Sequence, residues 1–377
     1  MASIVICGDI CPIGANGPYF CSGDAQTLFD GLLGEFERGD LVIANLECPL
    51  IGRPSPIVKT GPTFGESSDC INGIKAAGID VLGLANNHIL DHGEAGLRNT
   101  LAVCERAGIA TVGAGVNLCE ARRILIRQIG TIRVGVLGVA EHEFSIATPR
   151  SAGANPLDII DFVRNVRENS DRFDYLVVLL HGSDEFHVPT PRVRDTCRFM
   201  IEMGARAVVV QHPHVLGGYE YYQGGHIVYG QGALVMDEAI YRDQQSFHES
   251  FLVKLSIAGD LSSRMEIIPF VQSNPSPGAR RLTEQQEEEL RSRFEQRSNA
   301  IADDEFVEAE WLRFCEIRKH IYMSSLLGHN RVVRKLDSGG WLRRLFYSRK
   351  ALLSVRNCVC CETHREAIET ILDRGMV

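Results

Sequence analysis

Short apolar, mostly β-branched runs alternate with stretches of helical spacing, and most of the runs stop at a polar cluster. Residues 3–7, 40–45, 81–84, 110–112, 124–129, 131–140, 175–180, 207–210, 226–229 and 251–257 read as strands. Apolar residues recur at helical intervals through 24–38, 69–77, 93–107, 156–168 and 191–203; Leu28, Leu32, Leu33 and Phe36 mark the first stretch. Gly78, Gly108 and Gly204 follow three of these stretches, where a left-handed cap would end a helix. Gly130 separates two strands and predicts a hairpin. Such alternation implies an α/β fold with a largely parallel sheet covered by helices on both faces.

In such sheets ligands gather beyond the carboxyl ends of the strands, and the polar clusters fall there. They are Gly8-Asp9, Asn45-Leu46-Glu47, Asn86-Asn87-His88, Glu141-His142-Glu143, His181 and His212-Pro213-His214. A single Asp after a strand is usually a turn or a helix cap. Carboxylate, carboxamide and imidazole together at one rim instead match the ligands of divalent metals. Asp9 and Glu47 offer carboxylates to separate metals, or to a pair held ~3.5–4 Å apart. Asn87 offers a carbonyl oxygen, and His88 a ligand or a general acid. His212 and His214 are two apart, so in an extended segment their rings share a side. Asp91 and His92 orient His88 or cap the helix beginning near Gly93. Lys59 and Glu185 complete the candidate set as substrate contacts, Lys59 by neutralising an anion.

Composition narrows the classes. A net charge of −9 argues against general nucleic-acid binding. No basic n-region precedes an apolar segment at the start, and no apolar run reaches the ~18 residues of a membrane span. Twelve irregularly spaced cysteines fit a reducing cytoplasm. After the run 274–278, rich in Pro and Ser, the chain becomes highly charged, with helical spacing in 280–295 and 303–320. The expected division is a domain at 1–274 and a charged, mainly helical extension at 275–377. Within the extension, residues 331–350 hold seven Lys or Arg and one acid, with Trp341, Leu342, Leu345 and Phe346 between them. That stretch either makes peripheral contact with an anionic membrane or packs its apolar side on the main domain. Cys358, Cys360, Cys361 and His364 carry metal-ligand chemistry but lack the Cys-x-x-Cys spacing of zinc sites.

The order of the motifs resembles the CapA family, which is named for poly-γ-glutamate capsule synthesis. The resemblance runs from about residue 3 to 257. It rests on Gly8-Asp9, on Asn45-Leu46-Glu47-Cys48-Pro49, and on Leu84-Ala85-Asn86-Asn87-His88 with Asp91-His92-Gly93. His181 followed by Glu185, and His212-Pro213-His214-Val215, extend it. CapA proteins are similar to calcineurin-like metallophosphoesterases, which implies a four-layer α/β/β/α sandwich with a two-metal site. By that likeness Asp9 and His214 would serve a first metal and Asn87, His181 and His212 a second. Glu47 would bridge them, and His88 would be the general acid. One or two Mn, Fe or Zn ions are the implied cofactors, and an anionic small molecule or polymer the implied substrate. The first motif carries Cys11 where metallophosphoesterases carry a histidine, which leaves the first metal a ligand short. The resemblance therefore implies a metal-dependent hydrolase linked to an anionic polymer such as a capsule, or an accessory protein of its assembly with little or no catalysis.

Overall fold

A computed structural model describes residues 1–328, 331–337, 341, 347–360 and 362–373. The chain divides into two compact units, Met1–Trp311 and Leu312–Val377.

The first unit contains two large mixed sheets where the strand pattern implied one; alternation of strand and helix cannot count sheets. Strands Ala2–Ile10, Leu41–Leu46, Val81–Gly83 and Ala110–Val112 are parallel neighbours. Glu249–Ile257, Ser263–Gln272 and Ala279–Arg281 continue that sheet in antiparallel fashion from the other side of Ala2–Ile10. In the second sheet, Ile132–Ala140, Tyr175–His181, Ala207–Gln211 and Gly225–Val228 run parallel. Leu125–Ile129 and Tyr219–Tyr222 flank it antiparallel.

Residue alternation shows how the layers stack. Ile4, Ile6, Leu41 and Ile43 share a core with Tyr175, Val177, Leu179 and Val209, so the sheets pack face to face. Val5, Cys7, Val42 and Ala44 point the other way, into a core with Phe20, Leu28, Ile74 and Leu97 of the helical layer. Leu176, Val178 and Leu180 face Phe162, Val193 and Met200 on the far side. The order is helix, sheet, sheet, helix. Central strands buried on both faces read as unbroken apolar runs, as those of parallel sheets do.

One irregularity positions chemistry. Ile6 pairs with Ile43, but Asp9 pairs with Asn45, so the first strand has one residue more than its partner between these pairs. This bulge inverts the alternation: Ile4 and Ile6 face the second sheet, whereas Ile10 faces the helices. Asp9 is thereby turned toward the second sheet.

Several expectations are corrected. The 24–38 stretch forms two short helices, Ala25–Phe29 and Leu33–Glu37. The chain breaks at Gly31, whose φ of 76° is left-handed, and helical spacing persists because Leu28, Leu32 and Phe36 still face one core. Residues 274–278 are a reversal between two strands rather than a linker, closed by Ser273 N–H donating to Gly278 O at 2.8 Å. The charge change at 275 is not the edge of the compact unit. Helix Glu284–Ala300 belongs to the first unit and buries only Leu290 and Phe294, which join the core between the sheets. A helix that contributes two apolar side chains to a core looks like a solvated extension in sequence.

In the second unit, Arg331–Leu336, Arg349–Cys360 and Glu362–Asp373 are helical. Leu342, Arg343, Arg344, Leu345 and Phe346 of the basic stretch, and Cys361, lie outside the described residues. No helix among the described residues is long and apolar enough to cross a membrane.

Val177 and Val178 are both fully buried but belong to different cores. Val177→Ala and Val178→Ala should each cost about 2 kcal/mol of stability in urea unfolding. A neutral effect at either position would contradict a strand covered on both sides.

Candidate metal centre

The carboxyl ends of both sheets meet at one rim. Asp9 reaches it through the bulge, and Glu47 directly follows Leu41–Leu46, its N–H held by Ile10 O at 2.9 Å. His181 ends its strand on the face that carries Tyr175, Val177 and Leu179. His212 follows Ala207–Gln211 with a φ of 93°, a left-handed conformation uncommon for a residue with a side chain. Its N–H donates to Asp9 Oδ2 at 3.0 Å, which ties the two sheets together at the rim. Such strain is characteristic of functional sites.

Two overlapping groups of ligand atoms result, Glu47, His181 and His212, and Asp9, Glu47 and His214; within each, all atoms lie within 4.8 Å of one another. Glu47 belongs to both. Its Oε2 is 2.9 Å from His214 Nε2, and its Oε1 is 3.3 Å from His181 Nε2 and 3.7 Å from His212 Nδ1. Asp9 Oδ2 is 3.8 Å from His214 Nε2. Asn87 Oδ1 lies 3.1 Å from His181 Nε2. Glu47 Oε1 and His212 Nδ1 are buried without a hydrogen-bond partner. A buried polar atom left unsatisfied costs roughly 1–3 kcal/mol, and two such atoms facing each other among nitrogen and oxygen donors fit a divalent cation.

The charges are strongly coupled. Burial raises the pKa of Asp9, and the neighbouring Glu47 raises it further, against the pull of His181 and His214. Burial would raise Glu47 as well, but the charge of His214, with the nearby rings of His181 and His212, holds it well below the usual carboxylate range. Burial opposes the charged form of His212, yet Glu47 outweighs it and brings the pKa to about 9. His214 is likewise raised, by Glu185 and Glu47 against burial.

A second constellation adjoins the first. His88 Nδ1 is 2.6 Å from Asp91 Oδ2, and Lys59 Nζ pairs with Asp91 Oδ1 while lying 3.1 Å from His88 Nδ1. Phe64 N–H donates to Asp91 Oδ2 at 2.7 Å, and the Phe64 ring packs 4.4 Å from the His88 ring. The Lys59 side chain is only 2% exposed. Asp91 therefore has ordered partners on both oxygens, and His88 is fixed from its Nδ1 side.

A family model described as bacterial capsule synthesis protein PGA_cap matches residues 3–238. The chain belongs to this family. It is 29% identical over 251 residues to the capsule biosynthesis protein CapA of Bacillus anthracis, a match covering 64% of this chain and 60% of that protein. It is 28% identical over 261 residues to the PGA biosynthesis protein CapA of Bacillus subtilis (strain 168), covering 67% of each. The match thus spans about two thirds or less of these relatives' lengths. A crystal structure of a hypothetical protein from Thermus thermophilus aligns with a TM-score of 0.42 at 14% identity, covering 70% of this chain and 99% of that one.

Within this PGA_cap chain the six residues read as metal ligands are gathered at one rim, and His88 and Asp91 lie in the adjoining constellation. Two substrate contacts are placed differently. Lys59 is buried against Asp91 and His88. Glu185 accepts the His214 backbone N–H at 2.7 Å and lies 2.6 Å from His214 Nδ1, so it orients a candidate ligand. Cys11 belongs to neither ligand group; burial and the Cys48 thiol raise its pKa well above the ordinary value. Glu141 pairs with Arg192 and accepts Ser183 N–H, and it belongs to neither ligand group. Sequence reasoning passed over Asn45, whose Nδ2 donates to Asp9 Oδ1 at 2.7 Å, and over Asn86 as the anchor of its own segment. The visible signal was their place in the same polar clusters as Glu47 and Asn87.

Because Glu47 serves both groups, Glu47→Gln should lower metal content more than His212→Ala or His214→Ala, as read by elemental analysis of purified protein. Equal losses would argue against a shared carboxylate. Glu185→Gln should weaken metal affinity ~10–100-fold. With His212 and His214 protonated at pH 7 in the metal-free protein, metal uptake should release protons. Calorimetry in buffers of different ionisation enthalpy reads that release, and buffer-independent heats would contradict it.

Proposed function

We propose that this chain is a metal-dependent hydrolase acting on a phosphoester, or an amide, of an anionic substrate in the synthesis of a capsule or poly-γ-glutamate. The observation that carries this reading is the pair of ligand groups joined at Glu47 beside the fixed His88. Three imidazoles, two carboxylates and the Asn87 amide are donors suited to Mn, Fe or Zn. What a divalent cation supplies in such a site is Lewis acidity and a water acidic enough to serve as nucleophile near neutral pH.

The chain's own residues account for proton handling. Asp91 accepts from His88 Nδ1, which leaves Nε2 as the atom that delivers a proton to the departing oxygen. Lys59 balances the buried charge of Asp91. Glu185 fixes the ring of His214 through Nδ1 and turns Nε2 toward Asp9 and Glu47. Since Lys59 is committed to Asp91, a divalent cation held by Asp9, Glu47, Asn87, His181, His212 and His214 would supply the positive charge that meets an anionic substrate.

One observation favours the second reading, an accessory protein with little or no turnover. The group of Asp9, Glu47 and His214 has three ligands, and Cys11 does not join it.

Metal analysis paired with a screen of generic phosphomonoesters and phosphodiesters tests the proposal. Two equivalents of metal with turnover are expected; a fully metal-loaded protein without turnover on any ester or amide tried would favour the accessory reading. His88→Ala should lower kcat ~10²–10⁴-fold with metal content unchanged. Unaltered turnover in that variant would remove His88 from the chemistry.

A further inference from the structure

Away from the rim, two cysteines meet in a way the proposed chemistry does not use. Cys21, in helix Gly17–Ser22, is partly exposed, and Cys70, which closes the turn Ser68–Cys70, is buried. Their sulfurs are 3.4 Å apart. The backbones that carry them are fixed to each other, since Asn72 Nδ2 donates to Cys21 O at 3.0 Å. Closing a bond of ~2.05 Å between these sulfurs needs a shift of little more than 1 Å, within the reach of side-chain rotation.

We infer that Cys21 and Cys70 form a dithiol modification site that takes low-molecular-weight disulfides and closes to an intramolecular disulfide. The partly exposed Cys21, as its thiolate, attacks one sulfur of the small disulfide, whose S–S bond breaks and whose first thiolate leaves and takes up a proton. Cys70 then loses its proton and attacks the Cys21 sulfur of the mixed disulfide, expelling the second thiol. Two cysteine thiols are oxidised by two electrons, and one small disulfide is reduced to two thiols. Access orders the steps. Cys70 has no solvent path for a first attack, and burial, followed by the neighbouring Cys21, raises its pKa, so it is suited to the resolving role. The cross-link would also brace the turn that follows strand Glu66–Ser67, where the segment that carries Lys59 and Phe64 rejoins the fold.

The test uses the full chain in redox buffers of oxidised and reduced glutathione, with peptide mapping by mass spectrometry. The expected product is a peptide pair linked through Cys21 and Cys70, two hydrogens lighter than the free thiols. In Cys70→Ser, Cys21 should instead accumulate as the glutathione mixed disulfide. Cys119, exposed and remote in sequence, serves as an internal comparison that is glutathionylated without closing a ring. Recovery of free Cys21 and Cys70 from wild-type protein under conditions that modify Cys119 would overturn the inference. So would a wild-type Cys21 that stops at the mixed disulfide. Because the wild-type product alone decides, poor folding of the variant leaves the test intact.

Discussion

Two carboxylates, Asp9 and Glu47, are buried at the meeting point of two sheets, and the rim is organised around that burial. Removing one ionised carboxylate from water is unfavourable by several kcal/mol, and a second beside it adds repulsion. The surrounding imidazoles of His181, His212 and His214 meet this charge and are in turn fixed by it. Glu47 alone touches all three through its two oxygens. The left-handed turn at His212 makes sense in the same terms, since it turns a backbone N–H onto Asp9 while the ring stays near Glu47. Held together in this way, the sheets keep six side chains from distant parts of the chain within reach of common ions.

Around this centre the support is layered. Asn45 holds Asp9, Asn86 anchors its own loop against Leu46 O, and Glu185 orients His214. On the other side, Asp91 carries a lysine, a histidine and a backbone N–H at once, so the acid–base constellation has its own buried ion pair. The PGA_cap chain thus keeps the carboxylate–imidazole rim and the Lys59–Asp91–His88 group as two adjacent assemblies.

Much of this was legible in the sequence. Helix Gly93–Ala107 and its Gly108 cap, the Gly130 hairpin and the all-apolar strand ending at His181 appear where spacing and punctuation placed them. The ligand residues were legible because each follows a run whose apolar character is unmistakable. Other features leave no local mark. Alternation says that a strand is covered on both faces but not by what, so the second sheet was invisible to it. Ser263–Gln272 was missed because charged residues and Pro269 interrupt it; the short neighbour Ala279–Arg281 pairs only from Phe270 onward, which leaves Pro269 free of that ladder. The burial of Lys59 depends on Asp91, 32 residues away, and a buried, paired lysine has the same letter as a solvated one.

The bulge in the first strand has a consequence for how this chain tolerates change in length. Strand parity acts as a frame, and the extra residue between Ile6 and Asp9 is a frameshift within it. Everything before it is phased for the fold and everything after it for the rim. A single-residue deletion in that interval would reverse the facing of Asp9 and Ile10, taking the carboxylate from the rim and setting it against the apolar helical side. The spacing between Ile6 and Asp9 is therefore fixed by the rim as well as by the sheet.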